Sequence, residues 1–426
     1  MIAAALQTHR ARLIRSSDAL AIAVAASLPW STSATGIFAA VWVLAMIPTL
    51  DWPTLRRQLV VPAAGIVIVL VALAALGMLW SEAPWRPALQ GLSQFLKLLV
   101  IPLLLIHFRR SERGLWVFGA FLISCALLLA VSTVIFVWQR PFGLEVNTHG
   151  IPVKDRIIQS GEFVLCAFGA FYLAIDFFQS GRRALATGLV VLAAGFLANV
   201  FYIAASRTSL AVIPLLLLLW GFRRFGGKGT MIAAAVAAVL GGAIWFSSPH
   251  LQQRVTDISK EILGYEESHK VSSAGLRIDY WTKAIGFMKE APVIGHGTGT
   301  IRQLFEKANV GETKDWQTAN PHNQTLAVGI QLGLLGIVAL WALWLIHFLF
   351  FLRESGLAGW IGLMVVVQNV VSSLFNSHLF DFTQGWTYVF GVGVAGGMIL
   401  QRSAAQWHPE PKVAMTLAEK AVSESR

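Results

Sequence analysis

Cysteine and charge are both scarce in this sequence. Its two cysteines, Cys125 and Cys166, each lie inside an apolar run, which predicts free thiols and no disulfide. Only 13% of the 426 residues are charged while 56% are hydrophobic, a balance that a soluble chain of this length has no interior to hide. No CxxC, HExxH or clustered His/Asp set points to a metal site, and no Walker loop points to nucleotide use. No GxSxG elbow points to acyl transfer through a serine. No small-residue cleavage site follows the first apolar run of MIAAALQTHRARLIRSSDAL, so no cleavable signal peptide is expected. Internal repeats and low-complexity tracts are also missing. No cofactor is implied.

What is present is a series of apolar runs. A bilayer crossing needs about 17–25 predominantly apolar residues. Twelve stretches read as spans by that measure, with 17–31, 209–222 and 386–401 slightly short of it: 17–31, 34–50, 59–80, 90–107, 114–138, 160–179, 184–204, 209–222, 229–247, 322–350, 356–376 and 386–401. The fold class read from them is an all-α polytopic membrane protein of about twelve transmembrane helices. Sixteen tryptophans suit the half-wet belts at the two membrane faces.

The net charge of +11 raises the question of nucleic acid, and its distribution answers it. With the N-terminus placed in the cytoplasm, the inside segments hold eighteen Lys or Arg and the short outside loops hold five. Lys and Arg collect in cytoplasmic loops, so the excess is topological and no nucleic-acid partner is needed. Both termini are then cytoplasmic. The arginines left on the outside carry information, because topology does not require them.

One long polar interval interrupts the apolar series. Residues 1–247 read as helices 1–9, 248–320 as an extracytoplasmic loop, 321–401 as helices 10–12 and 402–426 as a cytoplasmic tail. Inside the loop, 251–264 has the stripe of an amphipathic helix, with Leu251, Val255, Ile258 and Ile262 on one side. A second helix is expected from Ser272-Ser273 to Ala291-Pro292, then the turn IGHGTGT, then a short helix from Thr300 to Asn309. Pro321 is expected in the first turn of the next span, which puts His322 and Asn323 at its N-terminus.

Several residues here are chemically conspicuous. His322 would sit at the positive end of a helix dipole, which favours the neutral imidazole that a general base requires. The alternative is an interfacial histidine that caps backbone groups. Arg207, in SRTSL, is a permanent charge at the outer membrane boundary, with Ser206 and Thr208 placed to orient it or share its ligand; a snorkelling arginine is the alternative. Arg277 shares a helix face with Trp281, Ala284 and Met288. An ion pair with Asp279, Glu266 or Glu267, or stacking on Trp281, would explain it without a ligand. As a pair, Arg207 and Arg277 would suit phosphate oxygens, where the planar guanidinium binds in a fork. Gly295, Gly297 and Gly299 are either an anion cradle of backbone amides or a tight turn. Asp381 and Gln384 lie on the last outside loop, and Lys97 is the main cation inside an apolar run.

Taken together, SRT at 206–208, GLRIDYW at 275–281, GHGTGT at 295–300 and PHN at 321–323 resemble the O-antigen ligase family, whose relatives include O-antigen polymerases and bacterial protein O-oligosaccharyltransferases. The resemblance implies a GT-C-like fold in the bacterial inner membrane with the active site on the periplasmic side. It also implies metal-independent, inverting transfer of a glycan from undecaprenyl diphosphate to lipid A–core oligosaccharide. On that reading Arg207 and Arg277 hold the diphosphate, and His322 takes the proton of the acceptor hydroxyl. Ser206, Thr208, Trp281, Gly297, Gly299 and Asn323 would contact substrate. A lipid-linked glycan flippase is the competing class. It would be expected to show inverted repeats and polar residues through the midplane.

Overall fold

The computed structural model describes residues 2–138, 150–247, 252, 256, 273–309, 318 and 320–407. Among these every regular element is a helix. In chain order they are α1 (Ile2–Ser27), α2 (Thr32–Met46), α3 (Trp52–Leu59), α4 (Pro62–Leu76), α5 (Trp85–Leu96), α6 (Val100–Phe108), α7 (Gly114–Trp138), α8 (Arg156–Gln179), α9 (Arg183–Tyr202), α10 (Arg207–Ser247), α11 (Ser273–Glu290), α12 (Ile301–Ala308), α13 (Gln324–Leu352), α14 (Gly356–Ser372) and α15 (Phe382–Trp407). The amphipathic helix expected over 251–264 lies outside the described residues. The helices expected after Ser272 and Thr300 are α11 and α12.

Seven of the described helices are long and apolar enough to cross a bilayer, or eight if the bent pair α3–α4 forms one span. The difference from twelve has identifiable sources. The first half of α1 carries basic residues, α15 has polar ends, and α14 is only 17 residues long. The fourth source is α10, which holds two of the expected segments. At Gly226 (φ 62, ψ −147) it leaves helical geometry. A Cβ on Gly221 would come within 2.5 Å of the Gly229 carbonyl, although eight residues of straight helix span about 12 Å. The chain therefore folds back, and 209–222 and 229–247 occupy the two arms.

One continuous apolar core joins α1, α2, α4, α6–α10 and α13–α15. Both cysteines are buried in it as free thiols. Its most extensive packings set α8 against α9, α15 against α6 and α14, and α1 against α2. A second, smaller core of Tyr280, Ala284, Phe287, Ile301, Leu304, Phe305, Ala327 and Ile330 fastens α11 and α12 over the first turns of α13.

The two cores meet at a break in α13. Gly333 (φ 60, ψ −154) interrupts the helix and releases amides and carbonyls on both sides of the break. The loop after α11 pairs with them. His296 and Gly297 donate to the Ile330 and Gln331 carbonyls, each at 2.9 Å, and Pro292 and Val293 accept from Leu334 at 2.8 Å and Leu335 at 3.2 Å. Interrupted helices survive in apolar surroundings when another part of the protein satisfies the freed groups. The same loop ties to the end of α4, with Thr298 Oγ1 donating to the Ala74 carbonyl at 2.6 Å and Thr298 N–H to Gly77 at 3.0 Å.

Gly333 has no room for a side chain, since a Cβ would lie 2.4 Å from the Val293 backbone. Gly181, in the α8–α9 turn, has a similarly positive φ of +76 but open space around it. In detergent, Gly333→Ala is expected to lower Tm well beyond Gly181→Ala, which bears only a backbone strain of about 1–3 kcal/mol. Equal shifts would contradict the stitched break.

Candidate active site

Asn323 caps α13. Its Oδ1 accepts from the Leu326 N–H at 3.1 Å and its Nδ2 donates to the Leu374 carbonyl at 3.2 Å. Pro321 thus stands two residues ahead of the cap instead of in the first helical turn, and His322 is held between them. His322 has φ 52. That left-handed backbone costs an L-residue about 1–2 kcal/mol. Asn320 holds it there, its Oδ1 accepting from His322 N–H at 2.8 Å and from Ser377 Oγ at 2.7 Å.

Those bonds orient the amides around the imidazole. With Asn320 Oδ1 committed, its Nδ2 donates to Asn376 Oδ1 at 2.8 Å. Asn376 Nδ2 donates to the Asp381 carboxylate at 2.8 Å, which independently turns Asn376 Oδ1 toward His322. His322 Nδ1 lies 2.9 Å from that oxygen. An amide oxygen can only accept, so Nδ1 carries the proton and Nε2 keeps a lone pair. Tyr280 of α11 stacks on the ring, with centroids 6.0 Å apart and planes at 19°. Behind the loop, Lys97 Nζ donates to the Phe380 and Asp381 carbonyls at 2.7 and 2.8 Å. The cation noticed inside an apolar run is thus used to anchor this turn.

Charge tunes the cluster. Burial, and after it the positive charge of Arg277, hold His322 below the ordinary imidazole value, while its bond to Asn376 works the other way. The neutrality expected from the helix dipole therefore has two stronger causes. His378 is buried beside the pair and is pushed down to about 4 by burial, then by His322 and Arg277. Burial raises the Asp381 carboxyl to about 6 against the pull of Lys97, and Asp155 adds to the rise.

The remaining sequence candidates divide. Arg277 is near enough to His322 to bias it, and Asp279, one of its expected ion-pair partners, binds Lys283 at 2.8 Å. Glu266 and Glu267 lie outside the described residues. Trp281, half-buried on the same helix, has an indole N–H without an acceptor among the described residues. Arg207 begins α10. Before it, Ser206 caps that helix by accepting from the Ser209 N–H at 3.1 Å, and the hydroxyls of Ser160, Ser206 and Ser209 close a ring at 2.8–3.0 Å. Ser206 thereby fixes where Arg207 starts. Thr208 is buried in the first turn.

The glycine loop is different. Gly297 N–H donates to Gln331 O and Gly299 N–H to Gln331 Oε1 at 2.7 Å, so these amides are spent inside the fold. The tight-turn alternative accounts for them. Asn320, Asn376, His378 and Tyr280 were not singled out from sequence. The NPHN and FNSHLFD stretches that supply most of them are both polar breaks between apolar runs, which is the signal that was available. Among the described residues, no three His, Cys, Asp or Glu side chains gather as a metal site would need.

Selective ¹⁵N-histidine NMR, with His322→Gln to assign the resonance, should show an Nδ1-protonated ring titrating below 6.5. In Asn376→Leu the tautomer bias should vanish and the titration should move further down, because the lost hydrogen bond supported the charged form. An Nε2-protonated ring, or no change in the variant, would contradict the network.

A family described as O-antigen ligase matches residues 188–341. That stretch runs from α9 into α13 and contains Arg207, Arg277, the glycine loop and His322. An uncharacterized protein of Haemophilus influenzae is 26% identical over 173 residues, covering 39% of this chain and 43% of that protein. The chain thus spans less than half the length of that relative. The histidine, both arginines and the helix break all lie inside the matched segment, over which the chain is similar to the O-antigen ligase family.

Proposed function

We propose that this protein is an O-antigen ligase of the bacterial inner membrane, which transfers a glycan from undecaprenyl diphosphate to a sugar hydroxyl of lipid A–core oligosaccharide. The observation that carries the reading is the neutral, Nδ1-protonated His322, whose Nε2 lone pair is held ready beside the Arg277 charge. The site lies at the ends of α13 and α14 and the start of α15, the end assigned to the periplasm by the distribution of Lys and Arg. The twelve-span topology, with both termini cytoplasmic and residues 248–320 as the periplasmic loop, belongs to this proposal.

The chemistry follows from the groups present. His322 Nε2 takes the proton of the acceptor hydroxyl while that oxygen attacks the anomeric carbon from the face opposite the leaving group. The new glycosidic C–O bond forms as the bond to the diphosphate breaks, and the configuration inverts. The bonding pair leaves on undecaprenyl diphosphate, whose charge Arg207 and Arg277 receive. Diphosphate is a good leaving group, so one base and two fixed guanidiniums suffice without a metal. Asn376 positions His322, and Asp381 positions Asn376. Trp281, whose buried indole N–H has no acceptor among the described residues, is a candidate contact for the glycan. Gly297 and Gly299 have no amide left to offer, and Ser206 and Asn323 serve as helix caps. Against transport, Lys97, the main cation inside an apolar run, is committed to the Phe380 and Asp381 carbonyls.

The test uses purified protein, undecaprenyl-diphosphate glycan and lipid A–core with EDTA present. Wild type should place glycan on lipid A–core, and His322→Ala should lose about 10²–10⁴-fold in rate, the usual worth of a general base. The rate should fall toward acid with an apparent pKa below 6.5, as protonation removes the lone pair. Lengthened glycan still on the carrier would make the protein a polymerase. Labelled lipid crossing a bilayer without transfer would make it a transporter.

A further inference from the structure

At the far ends of the helices that carry the His322 cluster lies a second polar pocket. Its empty volume is about 640 Å³, and its walls include Trp220 and Trp360. Arg223 and Arg224 of α10 line it, together with Asp176 of α8 and the Ser355–Gly356 start of α14. From Arg207 to Arg223 the helix rises about 24 Å, close to the thickness of a bilayer core of about 30 Å. The same membrane depth separates this pocket from the catalytic cluster along α8, α13, α14 and α15.

Three features of the pocket converge on an anion. Arg223 and Arg224 both line it, and Arg402 of α15 lies next to it, its Nη1 3.3 Å from where a Cβ on the lining Gly356 would be. Arg223 is half-buried and also donates to the Glu354 and Phe351 carbonyls, so its position is fixed rather than swept by solvent. The 17-residue helix α14 begins here, its Ser355 and Gly356 line the pocket, and Ser355 makes no side-chain cap bond to the first-turn amides. Asp176 offsets one of the three charges and Glu354, which faces Arg223, a second, for a net of one positive charge. Trp360 is buried as a wall of the pocket, while Trp220, partly exposed, is the kind of side chain that settles at a lipid headgroup boundary.

We propose that this pocket is a binding site for a phosphate-bearing anion, supplied by the phosphodiester headgroup of an anionic phospholipid in the membrane leaflet opposite the active site. The headgroup phosphate sits among Arg223, Arg224, Arg402 and the α14 N-terminus, and the acyl chains run along the exposed apolar flanks of the bundle.

Native mass spectrometry of the full-length protein, delipidated and then titrated with phosphatidylglycerol or phosphatidylethanolamine, tests this. Wild type should retain phosphatidylglycerol in preference. Each basic residue near an anionic surface contributes about fivefold, so Arg224→Gln/Arg402→Gln should weaken retention about 25-fold. Arg224→Lys/Arg402→Lys keeps the charge and should retain most of the binding, which separates a lost site from a misfolded variant. Arg56→Gln/Arg57→Gln removes two exposed charges from α3, away from the pocket, and should change nothing. Inorganic phosphate is titrated in parallel. Competition by millimolar phosphate with the same loss in the Gln variant, and no preference between lipids, would make free phosphate the ligand and overturn the lipid source. Equal phosphatidylglycerol retention by wild type and Arg224→Gln/Arg402→Gln, or equal loss in Arg56→Gln/Arg57→Gln, would overturn the site.

Discussion

A backbone polar group in apolar surroundings must find a partner, and in this protein that constraint places the candidate site. Gly333 breaks α13 within the bundle, and the broken ends would be costly if left open. The 291–299 loop closes them, and in doing so fixes the C-terminal end of α11 against α13 and α4. The small core of Phe287, Phe305 and Ala327 then sets the angle of α11, and Tyr280 and Arg277 arrive at His322. The glycines act as joints in this assembly, and the chemistry is carried by side chains.

The histidine is governed by a short polar relay. Lys97 steadies the 380–381 turn, Asp381 turns Asn376, and Asn376 decides which nitrogen of His322 carries the proton. A carboxylate directly on Nδ1 would raise the basicity of the ring and, near neutral pH, its tendency to be already protonated. A neutral amide in that place orients the ring with a weaker pull on its charge. Burial and Arg277 pull in the other direction, toward the neutral base.

Much of this was legible in the sequence. The apolar runs locate the helices, and SRT, GLRIDYW and PHN mark Arg207, Arg277 and His322 because each is a charged or titratable group at a membrane boundary. The relay was not legible. Asn320 and Asn376 meet across 56 residues, the 292–297 segment meets the α13 break at 330–335, and no local spacing encodes such pairs. The glycine loop read equally well as a cradle or a turn, since only the acceptors opposite its amides decide, and these belong to α13. Of the twelve runs, 209–222 and 229–247 fall in one helical element because Gly226 turns that stretch back on itself. A count by length and apolarity alone takes both arms together.

The central claim is that one end of the bundle holds a glycosyl donor between two arginines and a neutral histidine. The most direct measurement is a cryo-EM structure with a non-hydrolysable undecaprenyl-diphosphate glycan analogue. The expected map has the diphosphate in contact with both Arg207 and Arg277 and the anomeric carbon on the Nε2 side of His322, one acceptor oxygen away. A diphosphate bound away from either arginine, or an anomeric carbon facing Nδ1 or out of reach of His322, would contradict the account.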